Sequence, residues 1–101
     1  MIYITQLIFI KDGKEEIFHE FENFAIPLME KYNGKLLYRV RPDAAAFIAG
    51  EEERPYEIHI VSFDFESDLL GFMKDDGRLK FLPLKEESVK TILMIKGAKM
   101  G

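Results

Sequence analysis

Two pairs of side chains in this sequence could move protons or hold charge. Glu57 and His59 stand two apart in "YEIHIVSF", and Arg39 and Arg41 stand two apart in "KLLYRVR". Residues two apart on a strand share a face. If the two stretches are neighbouring antiparallel strands, one register sets Arg39 opposite His59 and Arg41 opposite Glu57, making a cross-strand ion pair. A guanidinium beside His59 favours the neutral imidazole, which can act as a base near neutral pH. His59 is thus one candidate acid–base residue and Tyr38 is the other, with Arg39 and Glu57 as candidate ligand contacts. The competing use of the same groups is hydrogen bonding across a dimer or at its solvated rim.

A second set is Gln6, Tyr38 and Ser62. One register places all three on the side of the sheet that faces the helices. Buried amides and hydroxyls need partners there, and a bound ligand or a neighbouring core group can supply them. Gln6 and Ser62 join the candidate ligand contacts on that argument. His19 lies about 160° around its helix from Phe21, so it is expected to be exposed. No cofactor is expected. The glycines of "KDG" and "DDG" read as turns rather than a phosphate loop, and no G-x-S-x-G or His-x-x-x-His spacing occurs. Asp75-Asp76 reads as a helix end rather than a cation site, so no metal is expected either.

The elements that must position these groups follow from periodicity. Residues 2–10, "IYITQLIFI", are β-branched and aromatic and stop at Lys11-Asp12-Gly13, which predicts a first strand. Asp12 and Glu15 have capping-box spacing for a helix start. Phe18, Phe21, Ala25, Leu28 and Tyr32 then recur at three and four, one helical face. Pro27 inside that helix predicts a kink or local break, and Asn33-Gly34 predicts its end, with the glycine in a left-handed cap. Residues 35–41 form a second strand closed by Pro42. The stretch 42–55 reads as a loop with one helical turn in "AAAFIAG", and 56–63 as a third strand. Asp64 is expected to cap a second helix buried through Leu69, Phe72 and Met73. A further helical piece, "RLKFLPLKEES", is expected to be interrupted at Pro83, before a last strand at 89–96. The order βαββαβ with right-handed crossovers points to an α+β ferredoxin-like fold. Its four-stranded antiparallel sheet has order 4-1-3-2, with both helices on one face. Residues 1–97 are read as one domain and 98–101 as a frayed tail.

Composition narrows the function classes. The chain has 101 residues, 48% hydrophobic and 13% aromatic, ample for a packed core. It has no cysteine, so neither a disulfide nor a thiolate site is available. The net charge of −4, without a basic cluster, argues against nucleic acid. No stretch approaches the ~18 apolar residues of a membrane span, and Met1 to Ile10 lacks the features of a signal peptide. A cytoplasmic location is expected.

A single sheet covered on one side should alternate apolar and polar along each strand. The third strand is expected to turn Tyr56, Ile58 and Ile60 to the helices and Glu57, His59, Val61 and Phe63 outward. With Leu37, Leu93 and Leu7 or Ile8, Val61 and Phe63 would leave an apolar area on the uncovered face. Burying such an area is worth on the order of 10 kcal/mol before association costs. A homodimer packed face to face through the open sheet is expected.

Several phrases also carry a family likeness: "YITQLIFIKD", "AIP" inside the first helix, "KYNGKLLYRV", "ERPYEIHIVSF" and "LPLKEES". Together they span nearly the whole chain. The chain resembles the dimeric α/β-barrel superfamily, and within it a small bacterial domain family of unknown function. It departs from that pattern at Asn33, where glycine is commoner, and at the strand end "SFDF". The resemblance implies a ligand pocket in each subunit between sheet and helices. Relatives include cofactor-free monooxygenases, haem-degrading enzymes and muconolactone isomerases, and fold likeness alone transfers none of these activities. In the haem-degrading relatives an amide on the first strand assists, and Gln6 is loosely similar, but an exposed His19 disfavours haem. The expectation is a homodimer that binds a small apolar or aromatic ligand. The alternatives are a cofactor-independent monooxygenase or isomerase using His59 or Tyr38, and a structural or regulatory dimer without a ligand.

Overall fold

The computed structural model describes all 101 residues. The N-terminal apolar run forms β1 (Ile2–Ile10), followed by α1 (Glu15–Leu28) and a 3₁₀ turn at Met29–Tyr32. Next come β2 (Gly34–Val40), a short 3₁₀ turn at Ala44–Ala46, and β3 (Glu57–Phe63). The chain closes with α2 (Glu66–Met73), α3 (Asp76–Ser88) and β4 (Val89–Gly97). All strand pairs are antiparallel and the order is β2-β3-β1-β4, the expected 4-1-3-2. The helices pack on one face of the sheet, and the fold is α+β and ferredoxin-like. Measured over Cα atoms the molecule is 39 × 35 × 16 Å, a slab only two layers thick.

Local signals differ from the sequence reading in instructive ways. Lys14, whose side chain makes no capping hydrogen bond, occupies the start of α1, and Asp12 stays exposed in the turn. Glu15 and Glu16 still place negative charge at the positive end of that helix. The helix continues past Pro27, which is on the exposed side and has no N–H to donate, and tightens into the 3₁₀ turn one residue after Leu28. Asp64 does not cap α2. Instead Asp68 reaches back to the N–H of Phe65 at 3.1 Å. Met73 is exposed, while Leu69 and Phe72 pack on the core. Pro83 does not interrupt α3, which is continuous over thirteen residues. Asp75 opens that helix rather than closing the previous one, accepting from the N–H of Arg78 at 3.0 Å.

The largest correction concerns which way the strands face. Glu57, His59, Val61 and Phe63 are all buried against the helices, and Ile58 and Ile60 point to the open side. The inward row of β1 is Ile2, Ile4, Gln6 and Ile8, paired with Phe63, Val61, His59 and Glu57 in turn. On β2 a bulge at Leu37 changes the alternation. Leu36 stays opposite Val61, but Tyr38 pairs with Ile60 and Arg39 with His59. Ile4, Met29, Val61 and Phe63 form the centre of the core, with Tyr32, Leu36, Leu69 and Phe72 packed around them.

The turn into β2 shows how tightly that core is closed. Asn33, not Gly34, takes the left-handed conformation, at φ 56°. Gly34 is there for space: a Cβ on it would lie 2.6 Å from Phe63 Cε1 and 2.9 Å from the Met29 carbonyl oxygen. Both obstacles belong to the core or the backbone, so neither can yield cheaply. We expect Gly34→Ala to lower stability by about 1–3 kcal/mol in urea denaturation. Asn33→Gly beside it should stay within about 1 kcal/mol of the parent. A Gly34→Ala protein as stable as the parent would remove the close-packing argument.

Candidate functional site

The helix-facing side of the sheet carries an ionic cluster centred on Glu57, which is 1% exposed. Arg39, opposite His59 on β2, donates to both Glu57 oxygens, from Nε at 2.9 Å and from Nη2 at 3.3 Å. Arg41 donates from Nε at 3.1 Å and again from Nη2. His59 Nε2 lies 2.8 Å from the Glu57 Oε1 atom. The expected cross-strand pairing therefore exists, but inside the fold and under α1 rather than on the open face. Burial alone would raise the Glu57 pKa. The hydrogen bonds from His59, Arg39 and Arg41 outweigh it and hold that carboxyl at about 2.

An ionised Glu57 can only accept, so the proton of a neutral His59 sits on Nε2. That leaves the Nδ1 lone pair free. Nδ1 lies 4.0 Å from Glu22 Oε2, and both residues line a cavity between the sheet and helices α1, α2 and α3. The cavity has a volume of about 60 Å³. Twelve of its seventeen lining residues are hydrophobic, among them Ile4, Ile8, Phe21, Met29, Val61 and Phe63. The polar ones are Gln6, Glu22, His59, Arg78 and Lys85. Burial raises the Glu22 pKa, an effect partly offset by His59 and Arg39. Burial lowers those of Arg78 and Lys85.

The six sequence candidates thus separate by face. Gln6, Arg39, Glu57 and His59 are on the helix side, and Gln6 and His59 reach the cavity itself. Tyr38 and Ser62 fall on the other side, correcting the expectation that they face the helices. They line an open groove with Tyr3 and Ile60, and Tyr38 is 64% exposed. Tyr38 cannot act together with His59 across the sheet. His19 is also not free in solvent. Its Nε2 accepts from Arg41 at 3.0 Å and lies 2.7 Å from the Tyr56 hydroxyl, tying α1 to the Glu57 cluster.

Glu22, Arg78 and Lys85 escaped the sequence reading. Arg78 and Lys85 are seven apart, which sets them on one face of a helix. Splitting that helix at Pro83 hid the relation. No group of three or more histidine, aspartate or glutamate side chains is arranged to hold a metal ion. No helix is long and apolar enough to cross a membrane.

No protein-family model and no curated protein matches this chain. Solved structures do. RPA0582, a protein of unknown function from Rhodopseudomonas palustris, superposes with a TM-score of 0.86 at 12% identity, over 99% of this chain and 82% of that one. At3g17210 from Arabidopsis thaliana gives 0.76 at 14%, over 100% and 97%. A NIPSNAP-family protein of unknown function from Agrobacterium tumefaciens gives 0.69 at 19%, over 100% and 91%. At such identities the likeness shows the fold alone.

Because the folded-state pKa of Glu57 is depressed, its stabilising contribution is complete above about pH 4.5 and lost as pH falls toward 2. Asp75 acts in the same sense: hydrogen bonds from Tyr32 and from the Arg78 N–H hold it at about 2. Glu22, raised by burial, works in the opposite sense. We expect the urea midpoint to fall across this window, and Glu57→Gln to flatten that fall while leaving the Asp75 part. An unchanged acid slope in Glu57→Gln, measured by urea titration at several pH values, would contradict the role given to this carboxylate.

Proposed function

We propose that this protein is a homodimer of the α/β-barrel type that binds a small molecule in a cavity between the sheet and helices of each subunit. The observation that carries the ligand is the cavity itself: its mostly apolar wall includes Arg78, whose buried Nε has no hydrogen-bond partner. Buried polar groups are almost always paired, and a ligand is one partner that fits. The volume also selects. An apolar cavity of ~150 Å³ accommodates benzene, so of the small apolar or aromatic ligands expected from sequence, about 60 Å³ favours a short aliphatic one. Protein purified without harsh washing, denatured and analysed by mass spectrometry, should release a stoichiometric small molecule. A binding scan that finds no small aliphatic ligand, together with empty extracts, would sink the reading.

The dimer rests on the open face. Outside the buried row, β1, β3 and β4 present Tyr3, Thr5, Leu7 and Phe9, then Ile58, Ile60 and Ser62, then Thr91, Leu93 and Ile95, without one charged side chain. Leu93 and Ile95 are more than half exposed in the single subunit. Extended uncharged apolar surface of this kind is unusual on a monomer. Sedimentation at micromolar concentration should give a dimer, and Ile60→Lys or Leu93→Glu should shift it to monomer by at least tenfold in dissociation constant. A monomeric parent protein would end this part of the reading.

A second reading, proton transfer, is favoured by one specific feature. His59 is oriented through Nε2 by an ionised carboxylate while Nδ1 looks toward Glu22 in the cavity wall. A base held this way suits an isomerase or a cofactor-independent oxygenase.

A further inference from the structure

The polar groups in the cavity have a charge pattern that specifies its ligand. Arg78 stands in the first turn of α3, and its guanidinium packs against the rings of Phe72 and Phe21 at 5.2 and 5.9 Å. Nη1 donates to the Met73 carbonyl oxygen at 3.3 Å, which fixes the plane of the group and leaves Nε as an open donor. The ammonium of Lys85, two helical turns further along the same face, makes no hydrogen bond and no ion pair within 4.0 Å. Glu22 faces them from α1 but is not paired with either within that distance. The remaining acid nearby, Glu57, is fully engaged by Arg39, Arg41 and His59. Two basic side chains, Arg78 and Lys85, therefore line the cavity with a single carboxyl, Glu22, opposite them and paired with neither.

We propose that the cavity binds a short-chain monocarboxylate, its oxygens taken by Arg78 and Lys85 and its hydrocarbon end by the apolar wall. The proposal rests on the reading of this cavity as a ligand site. A volume of about 60 Å³, well under the ~150 Å³ that accommodates benzene, keeps the hydrocarbon end short. Hydrophobic walls disfavour inorganic phosphate, which needs donors on all sides, and Glu22 would repel a second negative charge. A planar guanidinium edge matches a carboxylate better than a spherical anion. His59 lines the same cavity, with Nδ1 4.0 Å from Glu22 Oε2.

The test compares propionate with two near-isosteres, propionamide and propylamine, by calorimetry and by NMR shifts of the Ile4, Met29 and Val61 methyl groups at pH 7. Saturable binding of propionate is expected, at least tenfold tighter than either isostere. Arg78→Gln and Lys85→Met should each weaken propionate at least tenfold and narrow its advantage over the amide. Propionamide binding as tightly as propionate, or propionate affinity unchanged in the variants that fold, would overturn the carboxylate assignment and leave the cavity a ligand site. Absence of shifts with all three probes on the parent protein would overturn both.

Discussion

A carboxylate buried under a helix is the constraint on which this structure depends. Glu57 is almost wholly removed from water, and an unpaired charge there would be prohibitive. Satisfying it takes Arg39, Arg41 and His59 at once. That requirement pins the register of β2 against β3 and decides which side of β3 faces the helices. It also fixes a tautomer of His59. A one-residue slip would carry Glu57 to the open side and replace the ionic cluster with isoleucines. The cluster is therefore a specificity device for the sheet, whatever it contributes to chemistry.

From that choice the remaining layout follows. Once Glu57 and His59 point inward, the isoleucines between them must point outward, and the open face becomes uniformly uncharged along β1, β3 and β4. The inner face, by contrast, grades from a packed apolar end around Phe63, Leu36 and Met29 to a polar end around Glu57 and His19. The cavity sits between the two, where side chains of α1 and α3 cannot fill the space left by Gln6 and His59. A lysine, an arginine and a glutamate reach into it from the helices. Apolar packing holds the walls, and charge defines what they enclose.

The fold was legible in the sequence because it depends on local signals. Strand propensities, the Phe18–Phe21–Ala25 face and the turn residues gave the element order, and handedness reduced the topologies to one. The Arg39–His59 pairing was legible for the same reason, since period-two spacing on two neighbouring strands implies it. What misled was parity. Ile58, Ile60, Val61 and Phe63 are all apolar, so pattern alone offered two equal solutions, and the bulge at Leu37 shifted Tyr38 off the face that simple alternation gives it. Pro83 misled in the other direction. Tertiary packing keeps α3 continuous through it, and only that continuity aligns Arg78 with Lys85.

The sequence by itself determined the order of elements, the sheet topology and the pairing of basic with acidic residues across β2 and β3. Each of these follows from interactions between residues that are near in sequence or locked by strand period. Tertiary structure alone decided which face is inward, where Tyr38 and Ser62 go, and that Glu22, Arg78 and Lys85 share a cavity with His59. Those outcomes depend on desolvation. A charge buried at one end of a sheet is stable only with all its partners present, and that balance is struck in three dimensions rather than along the chain.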